Sequence, residues 1–163
     1  MPVEIERKFL VASDAWRVDV RRREYFAQGY LAASDRCSVR VRVGDGRAWL
    51  NLKGRLQGAT RLEYEYEVPV GEANEMLEAL CALGRVEKWR HWVPYAGHEW
   101  EVDEFLGENA GLVVAELELA DEAEAFVHPP WLGLEVTEDL RYLNTSLASR
   151  PWLSWPEAAG AAR

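Results

Sequence analysis

"VEIERKFLV", residues Val3–Val11, decides how the rest of the chain is read. Val3, Ile5, Phe9 and Val11 interleave with Glu4, Glu6, Lys8 and Leu10. A period of two marks a β-strand, whose successive side chains point to opposite faces. Glu4, Glu6 and Lys8 therefore stand in one row. The device recurs. "SVRVRV" (Ser38–Val43) places Arg40 and Arg42 together, and the "GDG" of Gly44–Gly46 is a hairpin signal. "RAWLNLKG" (Arg47–Gly54) returns with Trp49, Asn51 and Lys53 against Leu50 and Leu52. After a turn at Gly58, "RLEYEYEV" (Arg61–Val68) sets Glu63, Glu65 and Glu67 against Tyr64, Tyr66 and Val68. "VEKWRHWV" (Val86–Val93) pairs Lys88 with Arg90, "HEWEVDEF" (His98–Phe105) groups Glu99, Glu101 and Asp103, and "GLVVAELEL" (Gly111–Leu119) groups Glu116 with Glu118. "REYFAQGYLA" (Arg23–Ala32) reads as a strand, and "LEVT" (Leu134–Thr137) as a short last one.

Helical spacing is confined to brief stretches. A turn is expected at Ser13–Arg17, capped by Ser13 or Asp14. "EANEMLEALCALG" (Glu72–Gly84) carries Met76, Leu77, Leu80 and Leu83 as an apolar stripe, with Gly84 as C-cap. A short helix is expected around Asp121–Val127, ahead of Pro129 and Pro130, and another at Tyr142–Ser149. The class is α+β: about eight antiparallel strands, mostly in hairpin order, curled toward a barrel with helices outside. Residues 1–148 read as one domain and 149–163 as a partly flexible tail.

The 163 residues suit one domain with a real core. No apolar run approaches the roughly 20 residues of a membrane span. The N-terminus lacks a basic region followed by an apolar stretch, so no signal peptide is read and the cytoplasm is the expected compartment. Cys37 and Cys81 are expected as buried thiols without a disulfide. A net charge of −9 argues against nonspecific binding of nucleic acid or an anionic membrane. It leaves room for a small anionic ligand accompanied by a cation. No Walker sequence occurs. His91, His98 and His128 are scattered, with no paired cysteines, and read as packing or surface residues instead of zinc ligands. Trp89 and Trp100 oppose the charged rows and read as packing, whereas Trp49 shares a face with Lys53.

Two readings of the charged rows compete. They form a wet sheet face laced with cross-strand ion pairs, or they line the inside of a curled sheet. The opposite positions, rich in Val, Leu, Tyr and Trp, need cover, which outer helices supply if the charges turn inward. Buried charges persist when paired or when they bind something. Arginine and lysine suit phosphate, and interleaved carboxylates suit a hard divalent cation bridging to phosphate oxygens, as magnesium does. Acids and bases on one inner surface point to a metal–polyphosphate site.

The motifs, taken in order, resemble the CYTH superfamily of triphosphate tunnel metalloenzymes. They are "EIERKFLV", "GYL" (Gly29–Leu31), "VRVR" (Val39–Arg42), "LNLKG" (Leu50–Gly54), "EYE" (Glu63–Glu65), "VEKWR" (Val86–Arg90), "EVDEF" (Glu101–Phe105), "AELEL" (Ala115–Leu119) and "PPWLGLEVTEDLRYLN" (Pro129–Asn144). The resemblance implies a closed eight-stranded antiparallel β-barrel, open at both ends, that binds triphosphate inside. By that resemblance, Lys8, Arg40, Arg42, Lys53, Lys88 and Arg90 grip phosphates. Glu116 and Glu118 hold the metal that orients the triphosphate, while Glu4 and Glu6 place a second metal and the attacking water, with Lys8 beside them. Glu63, Glu65 and Asp103 complete the acidic, metal-binding lining. Mg2+ or Mn2+ is the implied cofactor and a homodimer an implied assembly. Glu135, Asp139 and Arg141 are left without a role, and the place where some relatives carry a lysine is Leu140 here.

Three functions fit. The first is hydrolysis of inorganic tripolyphosphate to pyrophosphate and phosphate, or of a small organic triphosphate such as thiamine triphosphate. The second is a class IV-type adenylate cyclase, for which no adenine or ribose motif stands out. The third is a non-catalytic polyphosphate or nucleotide binder, against which the Glu4/Glu6 pair speaks. A compact chain favours the simple hydrolase, by family analogy.

Overall fold

The computed structural model describes residues 2–161. Its strands are β1 (Val3–Val11), β2 (Arg22–Ala33), β3 (Cys37–Gly44), β4 (Arg47–Gly54), β5 (Thr60–Val68), β6 (Arg85–Tyr95), β7 (His98–Phe105), β8 (Val113–Glu118) and β9 (Leu132–Glu135). Helices α1 (Val70–Ala79), α2 (Asn144–Ser149) and α3 (Pro156–Ala161) complete it, with short 3-10 segments between elements. All pairings are antiparallel, in the order β5-β4-β3-β2-β6-β7-β8-β1-β9. A further β1–β5 pairing closes the first eight strands into a barrel. β1 is the seam. Its start pairs with β5, Glu4 opposite Arg61, and its end pairs with β9, Phe9 opposite Glu135. The β3–β4 hairpin turns on Asp45 and Gly46, both left-handed (φ 50° and 71°), as a two-residue primed turn requires.

Two apolar clusters lie outside the barrel. Ala73 and Leu77 of α1 pack on Ala27, Val41 and Ala48. Phe9, Val93, Trp100, Val102, Ala115 and Leu117 pack under Trp16 and Trp131. This cover turns the alternate, charged positions inward. A third cluster fills one end. Leu10, Val86, Phe105 and Val114 share the inward parity of Lys8, Lys88, Asp103 and Glu116, yet they pack against Tyr142, Leu147, Trp152 and Trp155. Each buried aliphatic or Phe side chain there contributes about 1.5–3 kcal/mol. The barrel is therefore filled at this end, where the family resemblance implied a second opening. The stretch 149–163, read from sequence as a partly flexible tail, supplies Trp152 and Trp155 to this plug, residues 162 and 163 lying outside those described.

Several sequence expectations shift. The first turn is a 3-10 segment, Asp14–Asp19, and Ser13 is its cap, accepting from the Ala15 N–H. α1 ends at Ala79, five residues before Gly84. Leu80 and Leu83 are consequently exposed (54% and 40%). Left-handed Gly84 (φ 101°) instead carries the chain into β6 against the Ala148 carbonyl, where a Cβ would collide. Residues 121–123 form a bend and turn and 124–127 are irregular, because the Asp121 and Glu124 carboxylates accept from the Ala123 and Ala120 N–H groups and outcompete a helix. The last strand starts two residues earlier than expected, and Thr137 caps its end by accepting from the Lys8 N–H. Both cysteines are free, but Cys37 is exposed and Cys81 half-buried. No helix among the described residues is long and apolar enough to cross a membrane.

Candidate active site

The charged rows converge on one cavity of about 520 Å3 inside the barrel. Its walls carry the cations Lys8, Arg40, Arg42, Lys53, Arg61, Lys88 and Arg90 and the carboxylates Glu4, Glu6, Glu63, Glu65, Glu101, Glu116 and Glu118. Tyr30, Phe26 and Trp92 line it too, and Asn144 and Thr145 of α2 reach it from the plugged end. Strand alternation and register explain the convergence. Lys8 stands opposite Glu116 and Glu6 opposite Glu118 between β1 and β8, and Glu101 faces Glu116 between β7 and β8. Arg40 faces Asn51, which faces Glu65, across β3, β4 and β5.

Pairing inside the cavity is uneven. Asp103 is fully buried; its Oδ2 accepts from Lys88 Nζ at 2.6 Å and its Oδ1 from Arg90 Nε at 2.7 Å. Arg90 also reaches Glu116 at 3.0 Å and pairs with Glu101. Lys53 donates to Glu4 at 3.0 Å, and Arg61 Nε donates to the other Glu4 oxygen at 2.8 Å. Lys8 lies 3.4 Å from Glu116 and 3.9 Å from Glu6. Asn51 Nδ2 donates to Glu65 at 2.6 Å and Glu63 at 3.2 Å, fixing both carboxylates. Arg42 touches Glu65 at 3.3 Å and lies close to the Phe26 and Trp49 rings, but the buried Nε atoms of Arg40 and Arg42 have no partner among the described residues.

These contacts split the carboxylates into two kinds. Burial works to raise the Glu4 pKa, but Lys53 and Arg61 outweigh it and hold it at about 2. Glu116 is likewise kept well below its ordinary value, Lys8 and Arg90 overcoming burial. Glu6 moves the other way, pushed well up by burial and by Glu116 and Glu4. Glu118 rises through burial and its neighbours Glu4 and Glu63. Among the cations, burial brings Lys88 down to about 8 despite Asp103, and burial with Arg40 and Arg90 brings Arg42 down to about 10.

Twelve of the thirteen residues named from sequence line the cavity: Glu4, Glu6, Lys8, Arg40, Arg42, Lys53, Glu63, Glu65, Lys88, Arg90, Glu116 and Glu118. Asp103 does not. Both its oxygens pair with Lys88 and Arg90 behind the wall, where it anchors two cations. Arg61 and Asn144 were missed, and Glu101, grouped with Asp103 in a charged row, was given no role. Arg61 and Glu101 were legible, standing two residues from Glu63 and Asp103 on alternating strands. Asn144 closes the quoted motif Pro129–Asn144 but lies on a helix distant in sequence, and no spacing marked its side chain. Glu135, Asp139 and Arg141 lie outside: Glu135 binds Arg7, and Asp139 binds Arg141, which also reaches Glu157. The histidines pack or pair: His91 on Trp16, His98 with Glu124, His128 on Phe9.

The donor set fits a hard cation. Glu6 and Glu118 face each other with Glu4 and Glu63 near, and the raised proton affinity of Glu6 and Glu118 marks a place short of positive charge. No three His, Cys, Asp or Glu side chains among the described residues form a cage by themselves. One or two carboxylates completed by water and phosphate oxygens is the usual habit of magnesium.

Fold and site together define a closed antiparallel β-barrel whose interior is lined by cations and carboxylates side by side. The chain belongs to the CYTH domain family, whose model matches residues 2–151. It is 50% identical over 157 residues to the inorganic triphosphatase of Acetivibrio thermocellus, covering 96% of this chain and all of that one. It is 39% identical over 153 residues to the inorganic triphosphatase of Nitrosomonas europaea, covering 89% of this chain and 96% of that one. The crystal structure of the inorganic triphosphatase NE1496 aligns with a TM-score of 0.66 at 38% identity, covering 91% of this chain and 96% of that one. Family membership implies a divalent metal ion.

Proposed function

We propose that the protein hydrolyses inorganic tripolyphosphate to pyrophosphate and phosphate inside the barrel. The observation that carries this reading is the cavity itself: seven cations and seven carboxylates lining one inner space of about 520 Å3. The family and its two triphosphatase relatives support it. Phosphoryl transfer asks a protein mainly for positioning and charge neutralisation. Arg40, Arg42, Lys88, Arg90, Lys8 and Lys53 take the phosphate oxygens, the unpartnered Nε atoms of Arg40 and Arg42 being ready donors. Glu4, locked as a carboxylate by Lys53 and Arg61, is a fixed charge. Glu6, opposite Glu118 on the cavity wall, orients the water that attacks the terminal phosphorus, and the water's proton leaves on the phosphate formed. The P–O–P bond breaks, and pyrophosphate leaves with its new charge facing the cations.

Glu116, Glu118, Glu6 and Glu4, with Glu63 and Glu65 beside them, would hold magnesium or manganese; bound there, the ion neutralises phosphate charge and polarises water. A product assay with either ion tests the function. Orthophosphate from tripolyphosphate supports it; turnover of thiamine triphosphate alone, or cyclic AMP from ATP, would replace it with another member of the same chemistry.

A further inference from the structure

We infer that Asn144 is a substrate-binding residue whose side-chain Nδ2 donates to a phosphate oxygen of the triphosphate. This rests on the proposed polyphosphate function of the cavity. Lys88 is a donor only, so the Asn144 atom that meets its Nζ at 3.1 Å must be the carbonyl oxygen Oδ1. Gln28, itself fully buried, meets the same oxygen at 2.8 Å and must therefore present its Nε2. One lysine thus fixes the orientation of two amides. With Oδ1 doubly committed, Nδ2 is the remaining polar atom of a side chain that lines the cavity, and none of the hydrogen bonds among the described residues uses it. It is a neutral donor beside Lys88, held in place before any ligand arrives. A neutral amide contributes a directed bond to an anion with no net charge to desolvate.

This role differs from one of merely docking α2, and two substitutions separate them. Asn144→Asp is isosteric and keeps an oxygen for Lys88 and Gln28, but puts a carboxylate oxygen where Nδ2 stood. Asn144→Ala removes the amide and adds no charge. Affinity for tripolyphosphate is measured by calorimetry with EDTA present, so that binding is read without turnover, alongside melting temperature. The expected order is wild type tightest, Asn144→Ala about tenfold weaker, and Asn144→Asp about fiftyfold weaker although it melts closer to wild type. A purely structural Asn144 gives the reverse order, with Ala the worse variant. Asn144→Asp binding within twofold of wild type, or better than Ala, overturns the inference. If the wild type hydrolyses tripolyphosphate in that case, the functional reading stands; if the wild type neither binds nor hydrolyses it with magnesium present, both fall, and binding seen only with magnesium moves the same comparison of variants to KM.

Discussion

The two walls of the cavity treat their cations differently. On the β6–β7 wall, Lys88 and Arg90 share Asp103, which is 0% exposed, and Arg90 takes Glu101 and Glu116 as well. On β3, Arg42 pairs with Glu65 at 3.3 Å, and the Nε atoms of Arg40 and Arg42 are buried without a partner among the described residues. The first wall is a self-neutralised frame. The second carries charge that the protein does not satisfy by itself, the condition under which an anion gains most by entering. A buried pair holds geometry, whereas a buried unpaired cation raises the demand for a ligand.

Breaking the frame has the largest expected effect. Asp103→Asn takes the paired carboxylate from buried Lys88 and one of three from Arg90, and is expected to cost about 3–5 kcal/mol, read by urea denaturation. Stability within error of wild type would show that Lys88 and Arg90 find other partners. Next comes the carboxylate split. Glu6→Gln is expected to lose turnover at least roughly a hundredfold, without loss of stability, since it removes a carboxyl crowded by Glu116 and Glu4. Glu4→Gln is expected to lose turnover similarly but also stability, because Lys53 and Arg61 lose their partner. Steady-state kinetics with parallel melting curves check both, and near-normal turnover removes either residue from the mechanism.

Emptying the second wall tests the other side. Arg42→Ala is expected to raise the Michaelis constant for tripolyphosphate about tenfold, while stability holds or rises because burial already disfavours that charge. An unchanged constant and rate would count against its phosphate role. The smallest effect is in pH. Burial lowers the Lys88 pKa to about 8, so the free protein loses this cation as pH rises through that value. Binding that needs the protonated form therefore weakens on the alkaline side, kcat/KM falling about threefold between roughly pH 7.5 and 8.5 for a single titration. For stability the sign is opposite: a lysine depressed by folding costs the native state below about pH 8, and the cost is relieved above it. Lys88→Arg should flatten the kinetic limb.

What could be read from the chain follows from period two. Alternation on β1 and on β3 to β8 names a residue's face without reference to any partner, which is why Glu4, Lys8, Arg42, Lys88 and Glu116 were legible. The same rule reached too far at Asp103, which has the right parity but lies behind the wall, since parity fixes a direction and not a depth. It also could not distinguish Leu10 and Val114, which point inward like their charged neighbours but belong to the plug. Helical expectations fared worst. Asp121–Val127 and the stretch after Ala79 are short, so local carboxylate contacts and the route back to β6 overrode propensity.

The sequence by itself determined the strands, their two faces and the charges each face carries, because these depend on neighbours along the chain. Only the tertiary structure decided that the charged face is the inside, that β1 meets β5 to enclose it, and that Trp152 and Trp155 fill one end. It alone also brought Asn144 to Lys88 across 56 residues. Those outcomes are set by which surfaces remain to be covered once the sheet curls, a global packing condition that no local period records.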